Sequence, residues 1–198
     1  MTDLVLASNN PHKLAEMKAI LPKTFTICSQ ADFGSDEVEE TGATFVENAL
    51  LKARYAAKLS GLPALADDSG LVVDALGGLP GVRSARFAGE PAASRANIDK
   101  LLQLLESETN RSAYFVTVLV YLRHEHDPLP LICQGLWHGE ILKAPQGNGG
   151  FGYDPIFWLA EHNQSAAMLT SKLKNTLSHR AKALQAFICA LKNEVVDN

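Results

Sequence analysis

The stretch "TFVENALLKARYAAKLSGLPALADDSG", residues 44–70, carries the signals that decide the fold class. Thr44 and Glu47 form a capping box at the start of a helix, and Gly61 stands where that helix should stop. The short apolar run 63–67 that follows is typical of a buried strand. A helix that leads directly into such a strand predicts an α/β fold.

The same alternation of strands and helices extends along the rest of the chain. Residues 123–130 separate two long apolar runs, which indicates a hairpin or meander and a more antiparallel middle section. Loops are expected at 31–43 and 77–90. The other expected strands are 4–8, 25–29, 113–122, 131–137 and one at the end of the glycine-rich stretch 144–158, and the other expected helices run from Pro11, capped by Asn10, to before Pro22, from a cap at Ser94 to about Glu106, and onward from a cap at Ser178.

The composition is that of an ordinary globular protein. The 198 residues suffice for one domain or at most two, and 46% of them are hydrophobic. A net charge of −4 makes long nucleic acid an unexpected partner. The three cysteines form no CxxC pair, the N-terminus has no signal-peptide pattern, and no apolar run reaches membrane-spanning length. We therefore expect a soluble cytoplasmic protein with reduced thiols.

The adjacent carboxylates of Asp67 and Asp68 follow the apolar residues 63–66 and are expected at the end of that strand. Neighbouring side chains of a strand point to opposite faces, so one aspartate can face a site while the other makes structural hydrogen bonds. Mg²⁺ typically uses one or two carboxylates together with waters and phosphates, and a carboxylate beside it can accept a proton from water. The alternative is a turn held by Asx hydrogen bonds.

Two further fragments could supply partners for such a metal and its substrate. In "SNNPHK", Lys13 lies in the first turn of a helix, where an anion such as phosphate is favoured, unless it is a solvated surface lysine. An acidic loop containing Glu37, Glu39 and Glu40 precedes a helix on which Lys52 shares a face with Asn48. Glu39 or Glu40 together with Asp68 would make a metal site, unless the loop is simply solvated.

The sequence "GNGGFG", residues 147–152, matches the spacing of a dinucleotide fingerprint but lacks its context. That fingerprint needs a strand before it and a helix after it, whereas "YDPIFW" reads as extended. Phe151 or Tyr153 could instead stack on a base, and Asp154 could accept hydrogen bonds from base N–H groups. A structural turn with core aromatic residues is the alternative.

Cations are concentrated near the last helix, in "KLKNTLSHRAKAL". Cations do not stabilise a helix start, so their presence around Ser178 favours a nearby anion or a ligand rich in carbonyl groups. Arg180 can bind phosphate or a base carbonyl with its planar fork. The alternative is a basic solvated turn. Taken together, the fragments predict a nucleoside triphosphate site.

Five ordered stretches resemble the inosine triphosphate pyrophosphatase family, in its bacterial dITP/XTP pyrophosphatase branch. The resemblance spans nearly the whole chain, from Leu4 to about Leu191. The matching stretches are "LASNNPHKLAEM", "EETGATFVENALLKARYAA", "LPALADDSGLVVDALGGLPGVRSARFAGE", "GGFGYDPIF" and "LKNTLSHRAKAL".

The resemblance implies hydrolysis of deaminated purine nucleoside triphosphates to the monophosphate and pyrophosphate, with Mg²⁺, by a homodimer. It implies a single domain over 1–198, with a long central mixed sheet flanked by helices and two lobes around the cleft. Glu39 and Asp68 are implied as metal ligands, and Asp68 also as the proton acceptor. The implied substrate contacts are the phosphate loop Ser8, Asn9, Asn10, Pro11, His12 and Lys13, then Lys52 and Ser69, the base-binding turn Phe151, Gly152, Tyr153 and Asp154, and finally Lys174, His179 and Arg180.

One departure from the family pattern is visible at Met168, where bacterial relatives usually have Glu. Lys174 and the "SHR" stretch after it are intact, so we expect activity to survive. The competing hypotheses are a pyrophosphatase for modified pyrimidine nucleotides and a nucleotide sensor without catalysis. A nucleic-acid-binding module is disfavoured by the charge and by the lack of alternating basic and aromatic residues.

Overall fold

The structure is a computed structural model that describes residues 2–34 and 38–196. The acidic residue Glu37 of the predicted metal-binding loop lies outside the described residues. The chain divides into two compact units, one of Met1–Asp68, Thr117–Gly135 and His179–Asn198 and one of Ser69–Val116 and Leu136–Ser178. The expectation of a single domain with two lobes stays a prediction.

The strands form a mixed sheet, which confirms the predicted α/β class. Within the described residues the sheet has seven strands in the order β2-β1-β3-β4-β5-β6-β7. Strand β1 pairs in parallel with β2 and β3, whereas β6 pairs antiparallel with β5 and β7. The strands are β1 Thr2–Ala7, β2 Phe25–Ser29, β3 Ala64–Val73, β4 Ser112–Leu122, β5 Leu131–Ile141, β6 Phe157–Leu159 and β7 Gln164–Ser165.

Three of the four predicted helices begin directly after the residue expected to cap them, namely Asn10, Thr44 and Ser178. Asn10 caps the first helix with its side chain, and Thr44 and Glu47 form the predicted capping box of the second. That second helix ends at Gly61, which has the left-handed φ of 69° that favours glycine. The helices are α1 Pro11–Ile20, α2 Phe45–Ser60, α3 Ser94–Leu104, α4 Ser171–Leu177 and α5 His179–Val196.

The structure corrects three expectations. Strand β3 continues through Asp67 and Asp68 to Val73, so the two aspartates lie within a ten-residue strand and not at its end. Helix α3 starts at Ser94 itself, after Ala93, so Ser94 is not its cap. Residues 171–177 form a separate short helix, α4, that was not anticipated. In β3, the polar residues suggested that the strand ends near Asp68, but pairing with neighbouring strands and burial keep the segment extended to Val73.

Each unit has its own apolar core. In the first unit, Leu4, Leu65 and Leu119 from three strands pack with Leu184 and Phe187 of α5. In the second unit, aromatic residues dominate, with Phe115, Trp137 and Phe157 in mutual ring contact. No helix in the described ranges is both long enough and apolar enough to cross a membrane.

The close packing of α5 on β5 depends on a glycine. A Cβ at Gly135 would collide with the backbone of His179 and lie 2.6 Å from the backbone nitrogen of Ala183. Any larger residue would therefore displace the start of α5, which carries His179 and Arg180. This contact fixes that helix start in the first unit.

Candidate active site

Asp68 lies within β3, and its two carboxylate oxygens face different partners on α2. Oδ1 accepts a hydrogen bond from Lys52 Nζ at 3.0 Å, and Oδ2 accepts one from Asn48 Nδ2 at 3.4 Å. Lys52 Nζ also donates to Glu40 Oε1 at 2.8 Å. The side chain of Asp68 is only 7% exposed. Asp68 and Glu40 therefore direct carboxylate oxygens at one positive charge.

Asp67 faces a different set of partners, as expected for the next residue of a strand. Its Oδ2 lies 3.0 Å from Lys13 Nζ and 3.3 Å from a guanidinium nitrogen of Arg180. Arg180 also forms an ion pair with Glu16 on α1. The Asp67 and Arg180 side chains are nearly inaccessible to solvent, at 1% and 2% exposed. Two cations and two carboxylates thus form a balanced buried cluster.

The two aspartates differ in the direction of their pKa shifts. Burial by itself raises the pKa of Asp67, but Lys13 and Arg180 outweigh it and hold that pKa well below its usual range. Burial also raises the pKa of Asp68, and there Lys52 opposes the effect without cancelling it, because Glu40 adds a like charge. Asp68 is therefore the more basic of the two carboxylates.

The cations of the first unit are close enough to influence one another. Burial lowers the pKa of Lys13, and Arg180 and Lys52 lower it further against the pull of Asp67. Burial lowers the pKa of Lys52 too, but Asp68 and its neighbouring carboxylates outweigh this and raise it. A concentration of cations around two aspartates is an arrangement suited to a polyanionic ligand.

The predicted phosphate loop is preorganised by its own hydrogen bonds. Asn10 Oδ1 accepts from the backbone nitrogens of His12 and Lys13 at 3.0 and 3.2 Å. Ser8 Oγ accepts from the backbone nitrogen of Asn10 at 3.2 Å. The loop therefore presents a formed helix start with Lys13 in its first turn, while Asn9, Pro11 and His12 are exposed.

The donor set near Lys52 fits a hard divalent cation. Glu40 and Asp68 converge on the Lys52 ammonium, and carboxylate oxygens are the ligands that Mg²⁺ prefers. Glu39, the predicted ligand, is exposed and adjacent to Glu40 in the same loop. Across residues 2–34 and 38–196 no group of three or more His, Cys, Asp or Glu side chains could hold a metal. A site with one or two carboxylates matches a cation that keeps waters and phosphates as its other ligands.

The predicted base-binding residues form a cluster of their own in the second unit. Asp154 Oδ2 accepts from Lys174 Nζ at 2.6 Å and from the backbone nitrogen of Phe151 at 2.8 Å. Lys174 Nζ also lies 4.6 Å from the centre of the Phe151 ring, a cation–π distance. The turn needs glycine at Gly150 and Gly152, whose φ values are 70° and 61°.

Three other predicted site residues are buried or half-buried within the fold. The hydroxyl of Tyr153 is buried and donates to the carbonyl oxygen of Ser84 at 2.9 Å. Burial raises the pKa of Tyr153, so it stays a neutral donor. His179 is buried at the start of α5, and Ser69 is half-buried in β3. Met168 is half exposed, so the residue that departs from the family pattern faces solvent.

Two residues near the site were not predicted to have roles in it. Glu16 pairs with Arg180, and its position three residues after Lys13 on α1 places both on one helix face. The spacing groups Asn48 with Lys52 and the acidic loop as a candidate metal and phosphate site, but it assigns Asn48 no contact of its own. The spacing signal was therefore present for both residues, but only the folded chain shows their partners.

Comparisons with known proteins place this site in a family. Residues 4–190 match the Ham1 family. The chain belongs to the Ham1 family. The resemblance inferred from the sequence is thereby confirmed.

Relatives that match this chain over nearly their whole length are named for one activity. A dITP/XTP pyrophosphatase of Shigella flexneri is 52% identical over 98% of this chain and 100% of its own length. One from Pseudomonas syringae pv. tomato is 55% identical over 93% of this chain and 94% of its own length. A family of nucleotide pyrophosphatases suggests a divalent metal requirement.

Two solved structures of Ham1 proteins have the same fold. A HAM1 protein from Coxiella burnetii superimposes with a TM-score of 0.92, with 48% sequence identity over 98% of this chain and 100% of that protein. The Ham1 protein of Staphylococcus aureus superimposes with a TM-score of 0.88, with 40% identity over 97% and 99% of the two chains. The mixed sheet flanked by helices is the fold of this family.

Proposed function

We propose that this chain is a nucleoside triphosphate pyrophosphatase that hydrolyses dITP, ITP and XTP to the monophosphate and pyrophosphate. The predicted activity and enzyme class are confirmed by the names of relatives that match this chain over 94–100% of their length. Such an enzyme removes deaminated purine nucleotides from the nucleotide pool.

One observation of the structure carries this proposal. Asp68, a nearly buried carboxylate with a raised pKa, shares Lys52 with Glu40. A carboxylate with this environment can accept a proton, and the paired carboxylates suit a metal that binds phosphate oxygens. A nucleotide sensor without catalysis would need neither feature.

The proposed reaction is an in-line displacement at the α-phosphorus. The oxygen of a water molecule bonds to that phosphorus as the bond to the bridging oxygen breaks, and pyrophosphate leaves with the electron pair. Asp68 orients the water and accepts its proton. Lys13, Lys52 and Lys174 neutralise the triphosphate, so positioning and charge stabilisation supply most of the rate.

We assign Mg²⁺ to the carboxylates around Lys52, with Glu39 and Asp68 as ligands and Glu40 beside them. When bound, Mg²⁺ supplies charge to phosphoryl oxygens and to the leaving pyrophosphate. Lys52, which pairs with Glu40 and Asp68, would then contact phosphate oxygens. The ion pairs of Lys52 support this assignment, because Glu40, the neighbour of Glu39, approaches the same ammonium as Asp68.

The remaining site residues belong to the proposal as nucleotide contacts. Residues 8–13 would bind the phosphates with Ser69, and residues 151–154 would bind the base. His179 and Arg180 are proposed to donate hydrogen bonds to the carbonyl at position six of the purine. Glu16 and Asp67 hold the Arg180 guanidinium in place through ion pairs. A site built on such hydrogen bonds can discriminate by about 10⁴.

We further propose that the enzyme works as a cytoplasmic homodimer. The family resemblance supports the dimer, and the sequence pattern supports the location.

The decisive experiment measures pyrophosphate release from ITP, dITP, XTP, ATP, GTP and a modified pyrimidine triphosphate, each with Mg²⁺. We expect kcat/KM for the three deaminated purines to exceed that for ATP by about 10⁴. Equal values for ITP and ATP would remove the selectivity claim. A preference for the pyrimidine would replace the substrate class, and no release from any nucleotide would remove the enzyme claim.

A further inference from the structure

Asn48 occupies a position in the first unit that the proposed reaction leaves without a role. It lies one helical turn before Lys52 on α2, carries no charge, and is 2% exposed. We infer that Asn48 is a positioning residue, whose amide holds the loop 38–43 in register with Asp68. This inference rests on the proposed function, because that loop carries Glu39 and Glu40.

Both ends of the Asn48 amide are engaged by a defined partner. Its Oδ1 accepts a hydrogen bond from the backbone nitrogen of Gly42 at 2.7 Å. Its Nδ2 donates to Asp68 Oδ2 at 3.4 Å. An N–H group needs an acceptor and a carboxylate needs a donor, so the chemistry of the partners fixes the orientation of the amide. One side chain thus bridges the loop and the strand.

The loop comes closer to Asn48 than any residue other than glycine would permit. A Cβ at Gly42 would lie 2.6 Å from Asn48 Oδ1 and 2.6 Å from the Cβ of Glu47. Both distances are far below van der Waals contact, and the same Cβ would lie 3.0 Å from the backbone nitrogen of Asn48. The glycine therefore allows the short hydrogen bond that joins the loop to Asn48.

Asn48 and Lys52 make two parallel links between the same loop and the same aspartate. Lys52 joins Glu40 to Asp68 Oδ1 through charge, and Asn48 joins Gly42 to Asp68 Oδ2 without charge. In the proposed reaction Lys52 leaves its carboxylates for phosphate. The neutral link does not involve Lys52, so it can hold Oδ2 when Lys52 leaves Oδ1.

Two substitutions separate the two halves of the bridge. Asn48→Ala removes both hydrogen bonds, whereas Asn48→Asp keeps the acceptor for Gly42 but places a second carboxylate against Asp68. Loss of a side chain that orients a metal ligand typically costs about 10–100-fold in metal affinity or activity. We expect both variants to raise the half-saturating Mg²⁺ concentration and lower kcat by about 10–100-fold, with a smaller change in the KM for dITP.

Hydrogen exchange of the loop supplies a readout that does not depend on activity. Measured on the protein without nucleotide, the amide of Gly42 and the peptide 38–43 should exchange faster in Asn48→Ala. In Asn48→Asp the same peptide should remain protected, because the acceptor is retained. Impaired turnover with a protected loop would assign the catalytic effect to the bond with Asp68.

Asn97 offers a matched control in the second unit. It is another buried helical asparagine, and its amide accepts from the backbone nitrogen of Ala88 at 2.7 Å and donates to the carbonyl of Ala85 at 2.9 Å. Asn97→Ala loses comparable bonds without touching Asp68. We expect it to lower thermal stability while leaving the half-saturating Mg²⁺ concentration unchanged.

The inference is overturned if Asn48→Ala and Asn48→Asp keep kcat and the half-saturating Mg²⁺ concentration within about twofold of the wild type, because loss of such a bridge costs far more. It is overturned equally if Asn97→Ala shifts Mg²⁺ dependence as much as they do. Should Asn48→Ala fail to fold, Asn48→Asp alone decides. A wild-type chain that releases no pyrophosphate would count against the proposed function, whereas an active wild type with normal variants counts against this inference alone.

Discussion

Asp67 and Asp68 are adjacent, nearly buried and chemically identical, yet their surroundings make them opposites. Asp67 lies against Lys13 and Arg180, and its pKa is held well below the usual range. Asp68 shares Lys52 with Glu40, and its pKa is raised. The strand pleat sends the two side chains to different faces, so each meets a different balance of charge.

This comparison shows that charge balance, and not residue type, decides what a buried carboxylate can do. Asp67 is paired with Lys13 and Arg180, so the charged forms of these three side chains stabilise one another. Asp68 has one cation for two carboxylates, which leaves it ready to accept a proton or a second positive charge. We therefore expect substitutions at the two positions to affect different properties.

The largest expected effect follows from substituting Asp68, the more basic of the two aspartates. Asp68→Asn should lower kcat by about 10³-fold, within the range for loss of a positioned general base, because the amide cannot accept the proton. Pyrophosphate release from dITP under saturating Mg²⁺ measures this. Circular dichroism of the same variant should match the wild type. A kcat within about tenfold of wild type would remove the base assignment.

The second largest expected effect is a loss of stability when Asp67 is substituted. Asp67→Asn leaves Lys13 and Arg180 with Glu16 as their remaining carboxylate, so a buried positive charge loses its partner. Breaking a buried ion pair in this way typically costs about 3–5 kcal/mol. Urea denaturation gives the free energy of unfolding. A loss below about 1 kcal/mol would show that the cluster tolerates unbalanced charge.

The smallest effect is a difference in pH dependence between the two variants. The folded pKa of Asp67 is depressed, so its contribution to stability is present above the unfolded pKa of about 3.9 and is lost as pH falls towards the folded value. The wild type should therefore lose its advantage over Asp67→Asn in acid. The folded pKa of Asp68 is raised, so its ionisation opposes folding at neutral pH.

Unfolding free energies of the wild type and both variants between about pH 3 and pH 7, a range around the unfolded pKa, test these opposite signs. Asp68→Asn should be at least as stable as the wild type at neutral pH, and its relative gain should shrink as the pH is lowered. Parallel curves for the two variants would mean that the aspartates share one electrostatic environment after all.

Local chemistry made much of the fold predictable. Asn10, Thr44 and Gly61 mark helix ends through bonds and dihedral angles confined to a few neighbouring residues, and all three were placed correctly. The length of β3 was not predictable, because polar residues within a strand look like a turn until their tertiary partners are known. The separate helix α4 was missed for a similar reason.

The sequence by itself determined the family, the fold class and the residue types available for the site, because motifs of this length record chemistry that is local to each segment. Only the tertiary structure decided which aspartate meets which cation and that Asn48 joins a loop to β3. Glu40 and Lys52 are twelve residues apart, and Asp67 and Arg180 are 113 apart. Charged residues so far apart in the sequence are brought together by tertiary packing, which no local pattern encodes.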